Sequence, residues 1–139
     1  MTPAQVKDRS ACRRAASPIW RRSAPSAIRR VYAPAADATI VMGDFNADPA
    51  EPAPARMRAA GFRSAYLEAN GAEPAVTWPS GLQAPAMDTD GDPECLDYIW
   101  VRGACRVGET RLVFDRPDPE DPTLYPTDHI GIATHLEIE

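Results

Sequence analysis

Three short stretches place acidic, amide or imidazole side chains beside apolar residues: Gly43-Asp44-Phe45-Asn46, Leu96-Asp97-Tyr98 and Thr127-Asp128-His129. A carboxylate in an apolar strand is costly to bury unless it is hydrogen-bonded, paired or bound to a metal, so each acid calls for a partner. Asp44 and Asn46 are two residues apart; in a chain that stays extended after Gly43 they point to one side while Phe45 anchors the other. Asp128 and His129 are adjacent and diverge. Asp128 can then reach a hard cation through oxygen, while His129 turns toward Asp97 for orientation and charge support. An Asp behind a His is the arrangement that stabilises an imidazolium.

Taken singly, each group has a plainer use. Asp44-Phe45-Asn46 fits an Asx turn, Asp97 fits a turn cap or a pair with Arg102 or Arg106, and a lone His129 fits a structural role. It is their conjunction that points to chemistry. His135 reads as structural, and Tyr98, Trp78 and Trp100 as packing residues, although Trp78 lies in a loop where it can meet a ligand.

The elements that must position these groups are short, because 15 prolines and 8 glycines punctuate the chain. Residues 39–42 read as a buried strand ending at Gly43. Residues 54–60 read as a helix with Pro near its first turn, Gly61 as its stop and Phe62 as the apolar contact beyond. Residues 71–94, broken by Pro74, Pro79, Pro85 and Pro93, read as one long connection. Residues 96–101 are apolar apart from Asp97 and read as a strand buried on both faces, with Arg102-Gly103 turning it back as a hairpin toward residues 104–107. A second acidic, proline-rich loop covers 115–126. In residues 130–138, Ile130, Ile132, Leu136 and Ile138 fall on one face of a final strand.

The chain has 139 residues and a net charge of −5, within the range of one globular domain. The charge is uneven. Residues 1–30 hold eight of the fifteen basic residues and only one of the twenty acids, Asp8, so that segment carries +7 and the rest −12. The expected division is a basic, poorly ordered or non-homologous leader at 1–37 and a domain at 38–139. A basic segment of this kind also fits a transit peptide or a nucleic-acid-binding arm. No secretory h-region follows it, and no apolar stretch approaches the ~20 residues of a membrane-spanning helix, so a cytoplasmic location is expected. Cys12, Cys95 and Cys105 show neither zinc spacing nor an even count, so reduced thiols are expected.

The stretches Ile40-Val41-Met42-Gly43-Asp44-Phe45-Asn46-Ala47-Asp48-Pro49, Leu96-Asp97-Tyr98-Ile99-Trp100-Val101 and Thr127-Asp128-His129-Ile130-Gly131 resemble, in order, the last three motifs of the endonuclease/exonuclease/phosphatase superfamily. The resemblance implies the C-terminal half of a four-layer α/β sandwich, with a mostly antiparallel mixed sheet and flanking helices. It implies a divalent-metal-dependent phosphoesterase using Mg²⁺ or Mn²⁺, truncated and weakly active as it stands. By the same resemblance Asp44 positions or activates the attacking water, Asn46 holds a phosphate oxygen, Asp128 with Asp44 helps bind the metal, and His129 with Asp97 contacts and protonates around the scissile phosphate. The substrate is then a phosphate ester. The acidic balance of residues 31–139 makes a small or lipid phosphodiester at least as fitting as duplex DNA. The competing expectation is a non-catalytic fragment or interaction module that keeps these residues without the chemistry. An orphaned sheet face would also favour self-association.

Overall fold

The strand that begins at Asp97 organises the molecule. In a computed structural model that describes residues 36–86, 89 and 91–139, β3 (Asp97–Gly103) is the middle of a three-stranded sheet. β1 (Ala38–Asp44) runs antiparallel along one side, with Ala38 opposite Gly103 and Asp44 opposite Asp97. The two-residue β2 (Arg63–Ser64) lies on the other side, opposite Val101 and Trp100. A second sheet pairs β4 (Cys105–Val113) with β5 (Gly131–Ile138), again antiparallel, with a register shift between Val107 and Thr110. Helices α1 (Pro52–Ala59) and α2 (Ala65–Asn70) are the helices among the described residues. Together these are antiparallel sheets with helices, an α/β architecture.

Alternation along β3 sorts the core into two layers. Tyr98 and Trp100 face Met57 of α1, Phe62 and Cys95, with Val41 and Phe45 packed against them. Ile99 and Val101 face Ala65 of α2 and Cys105, joined by Val107, Ile132 and Leu136 of the second sheet. The three-stranded sheet is therefore covered by α1 on one face and by α2 with the β4–β5 pair on the other. Tyr98, Ile99, Trp100 and Val101 are all buried, as expected of a strand covered on both faces. Full burial of each such side chain stabilises by roughly 1.5–3 kcal/mol. Ring contacts add direction: Tyr98 stacks on Trp100 at 5.2 Å between centroids, and Phe45 meets Tyr98 edge-on at 5.6 Å. The edge strand β1 is covered less completely, and Met42 is 70% exposed.

The hairpin expected at Arg102-Gly103 does not form. β3 already has a strand on each side, so no edge is left for residues 104–107, and β4 takes β5 as its partner. Cys105 consequently lies opposite Ile138 and not opposite Trp100. Gly103 makes the exit possible: its φ is +97°, and a Cβ there would lie 2.0 Å from the carbonyl oxygen of Asp37. That same carbonyl accepts from the amide of Ala104 at 2.9 Å. The expected single mixed sheet is thus two sheets whose pairings are all antiparallel. Cys95 and Cys105 are free and buried.

The other differences are local. The helix expected at 54–60 begins two residues earlier, with Pro at its first turn, and stops before Gly61, whose φ is +81°. The short α2 was not anticipated, although Ser64 caps it by accepting from the Leu67 amide at 3.4 Å and Gly71 closes it in the left-handed region. The loops at 71–94 and 115–126 form no named strand or helix among the described residues. The basic segment expected to be a leader falls almost wholly outside the described residues, as do Cys12 and its thiol. Among the described residues no helix is long and apolar enough to cross a membrane.

Candidate active site

β1 ends and β3 begins at the same corner, and the register makes Asp44 and Asp97 direct cross-strand neighbours. The amide of Phe45 donates to the carbonyl of Leu96 at 2.8 Å. Asp44 and Asp97 are therefore a pair of the non-hydrogen-bonded kind, in which the side chains approach most closely on one face. Two like charges so placed would repel, and each carboxylate has been given a different partner.

Asp97 takes His129. The imidazole Nδ1 lies 2.8 Å from Asp97 Oδ2, with the two side chains only 27% and 19% exposed. A carboxylate accepts, so the ring proton belongs on Nδ1 and leaves Nε2 for a further partner. The plainer uses of Asp97 are not the ones adopted. Arg102 donates to the Ala60 carbonyl and lies over the Phe62 ring, while Arg106 pairs with Glu137 and Glu139.

Asp44 takes Asn46. Its Oδ1 accepts the Asn46 amide at 2.7 Å and its Oδ2 accepts Asn46 Nδ2 at 2.9 Å. This is an Asx turn, so the chain does not stay extended after Gly43. Asn46 has φ +48°, a left-handed conformation that Asn tolerates better than most residues. The two side chains still meet, by folding back instead of by pointing the same way along a strand. Asn46 retains its second amide proton, and each Asp44 oxygen retains a lone pair, so both can still address a ligand. Phe45 anchors the turn in the core as expected, and the Tyr98 hydroxyl lies 2.8 Å from the Ala47 carbonyl and 2.9 Å from that of Cys95. That hydroxyl ties the Asp44 turn to the approach of β3. Burial is the main cause that raises the Tyr98 hydroxyl above its ordinary value and pushes the Cys95 thiol up to about 11, so both stay neutral.

Asp128 and His129 arrive from the 115–126 loop on a segment held by residues 77–80. The Ser80 amide donates to the Asp128 carbonyl at 2.8 Å, Ser80 Oγ donates to the Thr127 carbonyl at 2.6 Å, and the Ile130 amide donates to the Thr77 carbonyl at 2.7 Å. Asp128 Oδ1 accepts from the Thr127 hydroxyl at 3.3 Å. The Trp78 ring centre lies 6.5 Å from that of His129, so the loop tryptophan does border the site. Thr77 and Ser80 were missed by the sequence reading. A threonine and a serine inside a proline-rich connection carry no pattern that marks them as bracing groups. His135 is exposed on β5.

Among the described residues, no group of three His, Cys, Asp or Glu side chains is gathered as a metal site. Asp44 and Asp128, the expected ligands, are each already engaged by a neighbouring side chain. The described residues therefore do not make a closed cage for a divalent ion. Two carboxylates of this kind leave a hard cation to be held largely by water and by the substrate's own oxygens.

Residues 6–129 match the model of the Endonuclease/Exonuclease/phosphatase family, a range that includes all of the first two motifs, the third as far as His129, and part of the basic N-terminal segment. The chain belongs to the endonuclease/exonuclease/phosphatase family. Its members are generally hydrolytic enzymes, phosphoesterases and nucleases, and typically use divalent metal ions. Among solved structures, the chain is similar to an endonuclease/exonuclease/phosphatase family protein from Leptotrichia buccalis C-1013-b, with 24% identity and a TM-score of 0.48. That similarity covers 73% of this chain and 35% of the other, so the chain spans about a third of that protein's length. No curated protein matches it.

Proposed function

We propose that this chain hydrolyses a phosphate ester, with His129 as the proton-transfer group, Asp97 as its support, Asn46 as a donor to a phosphoryl oxygen and Asp44 as the group that orients the attacking water. The observation that carries this is the 2.8 Å contact from His129 Nδ1 to Asp97, set directly across the strand pair from Asp44. Hydrolysis of a phosphate ester needs a positioned water, donors for the charge that develops on the phosphoryl oxygens and an acid for the leaving group. Asp44 keeps a lone pair for the water, Asn46 keeps an N–H for the oxygen, and His129, carrying a second proton on Nε2 while Asp97 supports the resulting imidazolium at Nδ1, gives that Nε2 proton to the leaving group. The family's use of divalent ions supports a metal-assisted reaction, in which Asp44 and Asp128 would hold Mg²⁺ or Mn²⁺ and the ion would offset charge on the phosphoryl oxygens.

Turnover is expected to be weak. Positioning supplies much of the rate in such reactions, and a loosely held ion positions poorly. By the acidic balance of residues 31–139, a small or lipid phosphodiester is at least as fitting a substrate as duplex DNA. The test is turnover of a chromogenic phosphodiester with Mn²⁺ by the whole chain and by His129→Ala. Low turnover that disappears in the variant is the expected result, and turnover that the variant retains in full would sink the assignment. Calorimetric titration with Mg²⁺ or Mn²⁺ tests the carboxylates: binding should weaken in both Asp44→Ala and Asp128→Ala.

A further inference from the structure

We infer that Thr77, a loop residue outside the three motifs, is the positioning residue that sets the distance between His129 and Asp97; its role in turnover rests on the phosphoesterase assignment above. Thr77 is fully buried. Its Oγ1 accepts from two consecutive amides, Leu96 at 2.8 Å and Asp97 at 3.0 Å. Its carbonyl accepts from the amide of Ile130, the residue that follows His129. One residue thus holds the backbone of Asp97 itself and the backbone one residue from His129.

The fold makes this contact necessary. The Leu96 carbonyl is the group that faces β1, so the next amide, that of Asp97, faces away from it. On that side β2 reaches only Trp100 and Val101. Among the described residues no strand is therefore present to take the Asp97 amide, and an amide partly withdrawn from water must find a partner elsewhere. A hydroxyl has two acceptor lone pairs, enough for both donors. Thr110, a buried threonine that braces no loop, offers the contrast. Its hydroxyl lies 2.6 Å from that of Thr134 and 3.3 Å from the Gly108 carbonyl, wholly within the second sheet. Thr77 instead joins segments that are distant in sequence and carry the two members of the pair.

Thr77→Val keeps the shape and removes the acceptor, while Thr77→Ser keeps the acceptor. The direct readout is the downfield proton resonance of His129 Nδ1–H, which reports the bond to Asp97 without reference to activity. It should be present in the wild type and in Thr77→Ser and absent from Thr77→Val. Its persistence in a folded Thr77→Val would overturn the inference, as would its loss from a folded Thr77→Ser. A variant that does not fold leaves the wild-type amides to decide. The Asp97 N–H should exchange slowly with solvent, and exchange as fast as that of the exposed loop residues would also overturn it. In turnover, kcat should fall about ten- to hundredfold in Thr77→Val with little change in KM, as for residues that orient a site from behind, and recover in Thr77→Ser. If wild-type turnover proves insensitive to His129→Ala, the phosphoesterase assignment falls, and the resonance and exchange measurements still judge Thr77 by themselves.

Discussion

The two halves of the candidate site are held by different means. Asp97 and His129 are 32 residues apart and meet in a half-buried position, braced by Thr77 and Ser80 from a third segment. Asp44 and Asn46 are two residues apart, exposed, and satisfied by one another. The first half exists only when the tertiary structure is complete, since it closes three loops of chain, each at an entropic cost. The second half is a turn that needs little beyond its own residues and the anchor of Phe45. A group that must deliver a proton along a fixed line benefits from the first arrangement, and a group that must accommodate an incoming phosphate and its water benefits from the second.

The largest expected effect breaks the braced half. His129→Ala should reduce turnover of a chromogenic phosphodiester by ~10²–10⁴, the usual range for loss of a general acid or base. Asp97→Asn should show a smaller loss in kcat with its melting temperature nearly unchanged, because the amide can still occupy the position while supporting the ring less well. Equal activity in His129→Ala and wild type would remove the distinction between the halves.

A smaller effect is expected from the open half. Asn46→Ala removes one donor to a phosphoryl oxygen, a charge-assisted hydrogen bond of about 1.5–3 kcal/mol, which is roughly a ten- to hundredfold loss. Because Asn46 also holds Asp44, Asn46→Asp sharpens the test. It can keep the turn through its amide but replaces a donor with an acceptor, and turnover should fall at least as far as in the alanine variant. Asn46→Ala should also lose roughly 1–2 kcal/mol of stability, because alanine tolerates the left-handed φ of +48° less well than asparagine, and Asn46→Asp should lose less, so turnover is compared where each variant is folded.

The same contrast accounts for what the sequence revealed. The association of Asp44 with Asn46 was legible because its signals are local, a glycine at the strand end, an acid and an amide two apart and an aromatic between them, but its geometry was not, since an Asx turn replaces the expected extended course. β3 was legible because its apolar run exceeds what one covered face requires. The meeting of Asp97 with His129 was legible as a pairing, because a carboxylate in an apolar strand calls for a partner. The residue that enforces it, Thr77, has no local signature, since its role is defined by an amide that β2 is too short to reach. The false hairpin has a similar origin. Arg102-Gly103 has the composition of a turn, but whether a strand can fold back depends on whether its edge is free, and β2, only two residues long, occupies it. The basic N-terminal composition, so distinct on paper, did not mark a boundary of the family match, which begins at residue 6.

The smallest effect concerns the packing behind the braced half, where one group is poorly matched to its surroundings. Glu73 Oε2 accepts from Ser64 Oγ at 2.8 Å, while Oε1 is buried and has no hydrogen-bond partner. Burial raises the Glu73 carboxyl above its ordinary value, opposed by the Ser64 hydroxyl and the charge of Arg58. Its charge is also felt by Cys95 and Tyr98, the residues that support the start of β3. A carboxyl raised in the folded state binds its proton more tightly there than in the unfolded chain. Its stabilising contribution is therefore complete below the ordinary glutamate value and is lost as pH rises through the raised folded value. Glu73→Gln removes the ionisation and keeps an acceptor for Ser64. Thermal unfolding should accordingly show the variant gaining on wild type as pH increases from about 4 to 7, by no more than a few degrees. A difference that shrinks over that interval would mean that the folded chain holds the Glu73 charge better than the unfolded one, and that the packing behind Asp97 contains a compensating cation which the arrangement of Ser64 and Arg58 does not supply.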